Sequence, residues 1–232
     1  FFIVGARNGL DHFTWPAPQT ETKDLSIRSV LENEPEEILE ISNQASRCLD
    51  VWQEFLNLFP SSQELPSFPI WSMEFGATYP YEDTTPCASS QALLARRKGS
   101  HGIPLSTISP QDRFNHLPSY AQAKTERFPS WKATFIRQNR QLYLENKHWI
   151  DDWLPKILPF PSSYQKLEWN CKGEQRDIRS FMIQFRASGV RLKRPNTAPS
   201  LVAMTSTQVP IVAWENRYMT PRECSRLQSV DT

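Results

Sequence analysis

The sequence predicts an α+β fold with several helices and a few antiparallel strands, and three patterns carry that expectation. Apolar residues recur at three- and four-residue steps over 34–60 and again over 130–153, the period of an amphipathic helix. Residues 178–193 change to a two-residue alternation interrupted by Ala187-Ser188-Gly189, the signature of a β-hairpin. The seven glycines, at 5, 9, 76, 99, 102, 173 and 189, allow neither GxGxxG nor GxxxxGK[ST] to be written. The usual cradles for dinucleotides and triphosphates are therefore excluded.

In chain order, Phe1 to Gly5 is a short apolar run of the kind that makes a buried strand, and turn-forming residues follow through Trp15-Pro16-Ala17-Pro18. The first helix is predicted from Glu34-Pro35 to Pro60, burying Ile38, Ile41, Ala45, Leu49, Trp52, Phe55 and Leu56 and exposing an acidic side. Residues 61–92 carry Pro66, Pro69, Pro80 and Pro86 among Trp71, Phe75, Tyr79 and Tyr81, an ordered and extended loop region stiffened by proline. A second helix is predicted from Cys87 to Arg97, ending in the basic cluster Arg96-Arg97-Lys98. Ser109-Pro110-Gln111-Asp112 reads as another helix start, with proline just inside it.

The longest helix runs from Ser130 to about Trp153, with Trp131, Phe135, Leu142, Trp149 and Trp153 on or near one face. At 100° per residue, Arg137, Arg140 and Lys147 fall within an arc of about 80°, where they could follow a phosphate backbone or form a solvated basic face. In the hairpin, Phe181, Ile183 and Phe185 share one side and Met182 and Gln184 the other, and Arg186, Arg191, Lys193 and Arg194 decorate it. Arginines on a hairpin rim suit bidentate contact with guanine O6 and N7. Ala198 to Met204 suggests a short buried segment. Thr220-Pro221-Arg222-Glu223 then reads as a capping box, with proline at the first helical position and Glu223 reaching back to the Thr220 amide.

The net charge of +1 conceals a division along the chain. Residues 1–92 hold four Lys/Arg against fourteen Asp/Glu, and residues 93–232 hold twenty-two against eleven. That asymmetry fits a polyanion-facing half, and equally the segregation of solvated helix faces. Cys48, Cys87, Cys171 and Cys224 form no CxxC and lie away from the four histidines, so no zinc or other metal site is expected. The chain opens on Phe-Phe-Ile-Val-Gly without an initiator methionine or a leader, which reads as an internal fragment with reduced thiols. No apolar run approaches the roughly 18 residues of a membrane span, and no membrane partner is expected.

Arg217-Tyr218-Met219-Thr220-Pro221-Arg222-Glu223-Cys224-Ser225-Arg226-Leu227-Gln228, followed by Ser229, resembles the R-x-L-T-P-R-E-C-x-R-L-Q-G segment near the C terminus of bacterial DNA cytosine-5 methyltransferases. Upstream, Arg194 to Leu201 resembles the start of the same ninth motif, R…PTL, through Pro199 and Ser200, the serine keeping the hydroxyl of the usual threonine. Phe2-Ile3-Val4-Gly5-Ala6-Arg7 is similar to the closing half of the eighth motif, QxRxRxxxIGxR, and Phe13 to Pro16 to the turn that follows it. The resemblance proper covers some fifty residues at the two ends.

It implies three parts: the end of a catalytic-domain motif over 1–18, a target-recognition domain over 19–193, and the ninth-motif segment with its capped helix over 194–232. The implied enzyme is bacterial, cytoplasmic and nucleoid-associated, belongs to a restriction-modification system, and binds double-stranded DNA between this part and the catalytic domain of the same polypeptide. It rotates a cytosine out of the stack and methylates C5 with S-adenosylmethionine. The family's Pro-Cys-Gln nucleophile, Glu-Asn-Val acid and glycine-rich cofactor loop are not in these residues, and Thr85-Pro86-Cys87-Ala88 has alanine where glutamine belongs. No catalytic or cofactor-binding residue is therefore expected here, and the chain alone is expected to be inactive.

The resemblance casts Arg186, Ser188 and Arg191 as base readers, with Lys193, Arg194, Arg137, Arg140 and Lys147 on DNA phosphates. Arg7, Arg217, Arg222, Arg226 and Gln228 carry the motifs, and Thr220, Pro221 and Glu223 form the cap. Two other classes share part of the pattern: a stand-alone DNA-binding module would have the same basic half, and a protein–protein interaction domain would account for the acidic 34–60 stretch.

Overall fold

A computed structural model describes residues 4–7, 9–15, 17, 26–201, 208–228 and 230. Along the chain it contains α1 (Asn43–Leu58), β1 (Ile70–Trp71), α2 (Gln91–Ala95), α3 (Ser130–Ile157), β2 (Lys166–Asn170), β3 (Met182–Arg186), β4 (Gly189–Lys193), β5 (Ile211–Val212), β6 (Arg217–Tyr218) and α4 (Pro221–Leu227). Single 3₁₀ turns join several of these. Among the described residues, four α-helices and one six-stranded sheet make an α+β fold, with strand order β1-β2-β4-β3-β5-β6.

The hairpin forms the centre of the sheet. Ala187 and Ser188 alone make the turn, because Gly189 already pairs with Arg186. Gly189 has φ 141°, and a Cβ there would lie 2.9 Å from the Lys166 Cβ, so glycine lets β2 approach closely. Ile183, Phe185, Val190 and Leu192 join Leu167 and Trp169 of β2 beneath α1 and α3. The other side of β3 is covered as well: Met182 packs on Val212 and Met219, and Gln184 donates to Ser200 O and Gln208 O at 3.2 and 2.8 Å. Both faces of β3 are buried as far as Phe185, whereas Arg191 and Lys193 of β4 stay half-exposed.

The expectation of antiparallel strands needs one correction. β2 lies parallel to β4, Leu167 facing Val190, because the hairpin folds its second strand back beside β2. The remaining pairs are antiparallel. The sheet runs on without interruption from the 166–193 strands into β5 and β6.

Aromatic packing between α1 and α3 is the other half of the core. Trp153 lies 5.1 Å from Trp52 and 4.8 Å from Phe55 between ring centroids, and Phe55 meets Trp149 at 5.0 Å. The buried indoles keep their donors occupied: Trp52 Nε1 donates to Tyr164 O and Trp153 Nε1 to Val51 O, both at 2.8 Å. α3 extends to Ile157 and bends at Asn146, whose φ of −120° leaves the helical range. Trp131, expected on the apolar face, is 55% exposed because it lies in the first turn, beyond the partners that cover Ile136 and Leu142.

Three helix starts differ from the sequence reading. α1 begins at Asn43, capped by Ser42 Oγ, which accepts the Ala45 amide at 3.1 Å. Residues 39–41 instead run extended along β6: the Tyr218 amide donates to Leu39 O at 2.9 Å and the Ile41 amide to Asn216 O at 3.2 Å. This sheet-edge pairing wins over helical periodicity and leaves Ile38 56% exposed. α2 begins at Gln91, because Thr85 to Ser89 form a turn in which Ser89 Oγ donates to Thr85 O. At Ser109 the side chain donates to Asp112 Oδ2 at 2.7 Å, and the following residues make only the 3₁₀ turn Arg113–His116.

The apolar run at the start of the chain and the 198–204 segment fall partly outside the described residues. Val4 and Gly5 belong to no strand, nor do Ala198 to Leu201. All four cysteines are free thiols.

Candidate nucleic-acid interface

A buried asparagine sets the position of the basic helix. Asn139 Oδ1 accepts the Trp71 amide at 2.6 Å and its Nδ2 donates to Pro69 O at 2.9 Å, so the chain leaving β1 must run beside α3. That chain turns at Gly76, where φ is 77° and a Cβ would lie 3.1 Å from Gly102 Cα. The Thr78 and Tyr79 amides then donate to Lys98 O at 3.0 and 3.1 Å, and the Lys98 amide donates to Thr78 Oγ1 at 2.8 Å. Loop 74–84, the Arg97-Lys98 run and α3 thus surround one groove of about 740 Å³. Arg137, Arg140 and Lys147 all line it, together with Arg97 and Lys98.

Beneath the groove Glu74 is fully buried. Its Oε1 accepts from the Tyr79 and Tyr120 hydroxyls, the latter at 2.7 Å, and its Oε2 accepts Arg140 Nε at 3.0 Å. Arg140 Nη1 donates to Tyr79 O at 2.9 Å, and the guanidinium carbon sits 4.4 and 4.6 Å from the Tyr79 and Tyr81 ring centroids. Its Nη2 is buried and has no partner among the described residues. Burial, and after it the Glu74 charge, pushes both phenols well above their ordinary range, so Tyr79 and Tyr120 remain protonated donors.

Around the rim, Arg137 Nε pairs with Glu82 at 3.2 Å and Lys147 pairs with Asp151, both exposed contacts. Arg97 and Lys98 are exposed, and no carboxylate lies within 4.0 Å of either among the described residues.

The hairpin cations are engaged differently from the sequence reading. Arg186 and Arg191, expected to project toward bases, share Glu168 of β2: Arg186 Nη2 pairs with Oε1, and Arg191 Nε with Oε2 at 2.9 Å. Cross-strand register is the reason, since Glu168 faces Arg191 directly on the same side of the sheet. Ser188 is exposed in the turn, and Lys193 is half-buried. Arg194 donates from Nε to Glu174 at 3.0 Å and from Nη2 to Lys172 O at 2.7 Å.

Contacts link the hairpin tip to the groove. Gly189 packs on Lys166, the Lys166 ammonium lies 5.5 Å from the Tyr120 ring centroid, and Tyr120 hydrogen-bonds Glu74. Burial holds the Lys166 pKa below its ordinary value.

The capped helix belongs to a third cluster. Thr220 Oγ1 accepts the Glu223 amide at 3.1 Å and Glu223 Oε2 accepts the Thr220 amide at 2.8 Å, with Pro221 opening α4. Arg217, 1% exposed, donates from Nη1 and Nη2 to the two Glu223 oxygens, each at 2.8 Å, and from Nε to Glu215 at 2.7 Å. The Glu32 amide adds a fourth donor to Glu223 at 2.8 Å, and the Glu32 carboxylate accepts from Thr220 Oγ1 and Arg222 Nη1. Burial pushes the Glu223 carboxyl up, but Arg217 and the amides of Glu32 and Thr220 outweigh it and hold the group below the usual carboxylate range.

Arg226 Nη1 donates to Val30 O at 3.4 Å, and the Gln228 amide closes α4 on Ser225 O at 2.9 Å. Pro199 is buried, Ser200 offers its carbonyl to Gln184, and Arg7 is exposed. These motif positions staple residues 26–32 to 217–226.

Sequence reasoning missed Glu74, Tyr79, Tyr120 and Glu168. Glu168 was open to discovery, since Lys166-Leu167-Glu168-Trp169 alternates like a strand, whereas Glu74 carries no local signal. Among the described residues, no group of three or more His, Cys, Asp or Glu is gathered to hold a metal, and no helix is long and apolar enough to cross a membrane.

Against known proteins, the chain is similar to the Type II methyltransferase M.AluI of Cellulosimicrobium cellulans, 26% identical over 198 residues. The match covers 83% of this chain and 37% of that relative, so the chain spans little more than a third of the relative's length. It supports a methyltransferase relationship. No protein-family model matches the chain, and no solved structure does.

Proposed function

We propose that this chain is the target-recognition part of a bacterial DNA cytosine-5 methyltransferase of a restriction-modification system. The observation that carries the reading is the extent of the likeness to M.AluI: 198 residues, far beyond the some fifty of the two terminal motifs, so most of the intervening stretch is included. The Arg217–Glu223 network adds a physical reason for the motif, since each of its polar residues has a partner that a substitution would remove.

In this reading the chain does no methyl transfer. S-adenosylmethionine supplies the methyl group in the catalytic domain of the same polypeptide, and the present residues choose the sequence. Duplex DNA lies across the hairpin tip and the groove. Ser188 in the turn and Arg186 and Arg191 in the strands beside it read base edges, with Glu168 holding the two guanidinium groups in place. Arg137, Arg140, Lys147, Lys193 and Arg194 follow the phosphates. The enzyme works in the bacterial cytoplasm on nucleoid DNA and rotates its target cytosine out of the stack.

Equilibrium binding of the 232-residue chain to duplex DNA over a salt series tests this. Log K is expected to fall linearly with log salt, by about 0.9 per neutralised phosphate. Arg186→Ala and Arg191→Ala are each expected to relax preference at one base position, at a cost of about 1–3 kcal/mol on the cognate site. A flat salt response overturns the reading, and uniform weakening over all sequences moves the two arginines to the phosphates.

A further inference from the structure

We infer that the groove between loop 74–84 and α3 holds one backbone phosphate of the bound duplex, with Arg140 Nη2 as its inner donor and Arg97 and Lys98 as its rim cations. The inference rests on the DNA reading above, which sets Arg140 among the phosphate contacts, and adds to it the donor atom and the two rim cations Arg97 and Lys98.

Three observations converge on an anionic acceptor. Arg140 commits Nε to Glu74 and Nη1 to Tyr79 O, while Nη2 is buried and unpartnered beside the groove that Arg140 lines. A buried donor without a partner is destabilising, so the site favours a ligand that accepts from it. The guanidinium is also fixed in plane, because Tyr79 and Tyr81 lie 4.4 and 4.6 Å from it and Glu74 anchors its inner edge. Its open edge is preorganised and loses little freedom on binding.

The second observation is the rim. Arg97 and Lys98 stand exposed on the opposite wall, held by the hydrogen bonds between Lys98 and Thr78-Tyr79, with no carboxylate within 4.0 Å among the described residues. The third is the balance of charge. Glu74 and Glu82 are occupied by Arg140 and Arg137, and Asp151 pairs with Lys147 while also feeling Lys98, so the five lining cations outnumber the carboxylates at the groove, Asp83 included. One unpartnered guanidinium nitrogen below and two cations above suit the oxygens of a phosphodiester. Through the interior, the contacts of Gly189 with Lys166, Lys166 with Tyr120 and Tyr120 with Glu74 tie the base of this cradle to the hairpin tip.

The test compares the whole 232-residue chain with three variants: the double substitution R97Q/K98Q, Arg140→Lys, and Lys156→Gln as a control at an exposed ion pair elsewhere on α3. Binding to a 20-base-pair duplex is measured over a salt series, and folding is checked by circular dichroism. R97Q/K98Q is expected to weaken low-salt binding by tenfold or more and to flatten the salt slope by about one per cation removed. Arg140→Lys keeps the charge and loses the planar guanidinium with its Nη2 donor, so it is expected to weaken binding about tenfold with the slope nearly unchanged. Lys156→Gln is expected to match the parent.

If the parent binds with a steep salt slope while R97Q/K98Q keeps both slope and affinity within twofold, the groove inference is overturned and the DNA reading stands. If the parent itself shows no salt-dependent duplex binding, the DNA reading falls and the groove with it. Binding of an acidic peptide that is lost in R97Q/K98Q while duplex binding persists also overturns the phosphate assignment.

Discussion

Two buried arginine–glutamate pairs lie in different parts of the molecule, and they are finished to different degrees. In the Arg217–Glu223 pair the carboxylate receives four donors, and every guanidinium nitrogen of the arginine has a partner. In the Arg140–Glu74 pair the carboxylate receives three donors, and one guanidinium nitrogen has none. A buried ion pair repays its desolvation only when the remaining donors and acceptors are satisfied. The first pair is closed and serves the fold by stapling residues 26–32 to α4. The second has one nitrogen unpaired, and its arginine lines the groove of about 740 Å³.

Removing one carboxylate from each pair gives the largest contrast. Glu223→Ala strands a buried guanidinium and opens the staple, and is expected to cost about 3–5 kcal/mol in urea unfolding. Glu74→Ala removes the carboxylate from an arginine that is partly exposed and already has one nitrogen unpaired, and is expected to cost less, about 1–3 kcal/mol. Equal losses would remove the distinction between the closed and open clusters.

Acid separates the two regions next. His101, in the turn that packs on Gly76, is held by burial at a pKa of about 4 against an ordinary 6.5. The unfolded chain therefore takes up a proton there before the folded one does, and stability should decline as pH falls from 6.5 to about 4, by up to about 3 kcal/mol. Glu223 works in the other window: its pKa lies below the ordinary 4.5, so its contribution is complete above that value and is lost as pH falls through the folded pKa. Stability-against-pH curves for the parent and His101→Asn, asparagine tolerating the local φ of 55°, are expected to differ in slope only between pH 4 and 6.5. Identical pH profiles would show that His101 is not shielded.

The same contrast explains what could be read from the sequence. Local patterns were legible: the hairpin alternation, the aromatic stripe of α3, and the Thr220-Pro221-Glu223 cap all depend on neighbours within a few residues. Long-range competition was not. Residues 34–42 keep helical spacing, yet 39–41 pair with β6 because an open sheet edge offers backbone partners from nearly 180 residues away. β2 was missed, and with it Glu168, so Arg186 and Arg191 looked free. Arg140 was singled out by its helix face, but its partner Glu74 lies 66 residues upstream in a proline-stiffened loop with no periodic signal.

Hydrogen–deuterium exchange of the chain with and without duplex DNA puts the open and closed clusters side by side in one measurement. Protection on binding is expected over 76–84 and 96–102, which wall the groove, and over the hairpin tip, while 217–228 exchanges at an unchanged rate. Saturating DNA that leaves 76–84 and 96–102 unprotected would contradict the account, because Arg140 Nη2 would then face nothing that the protein binds.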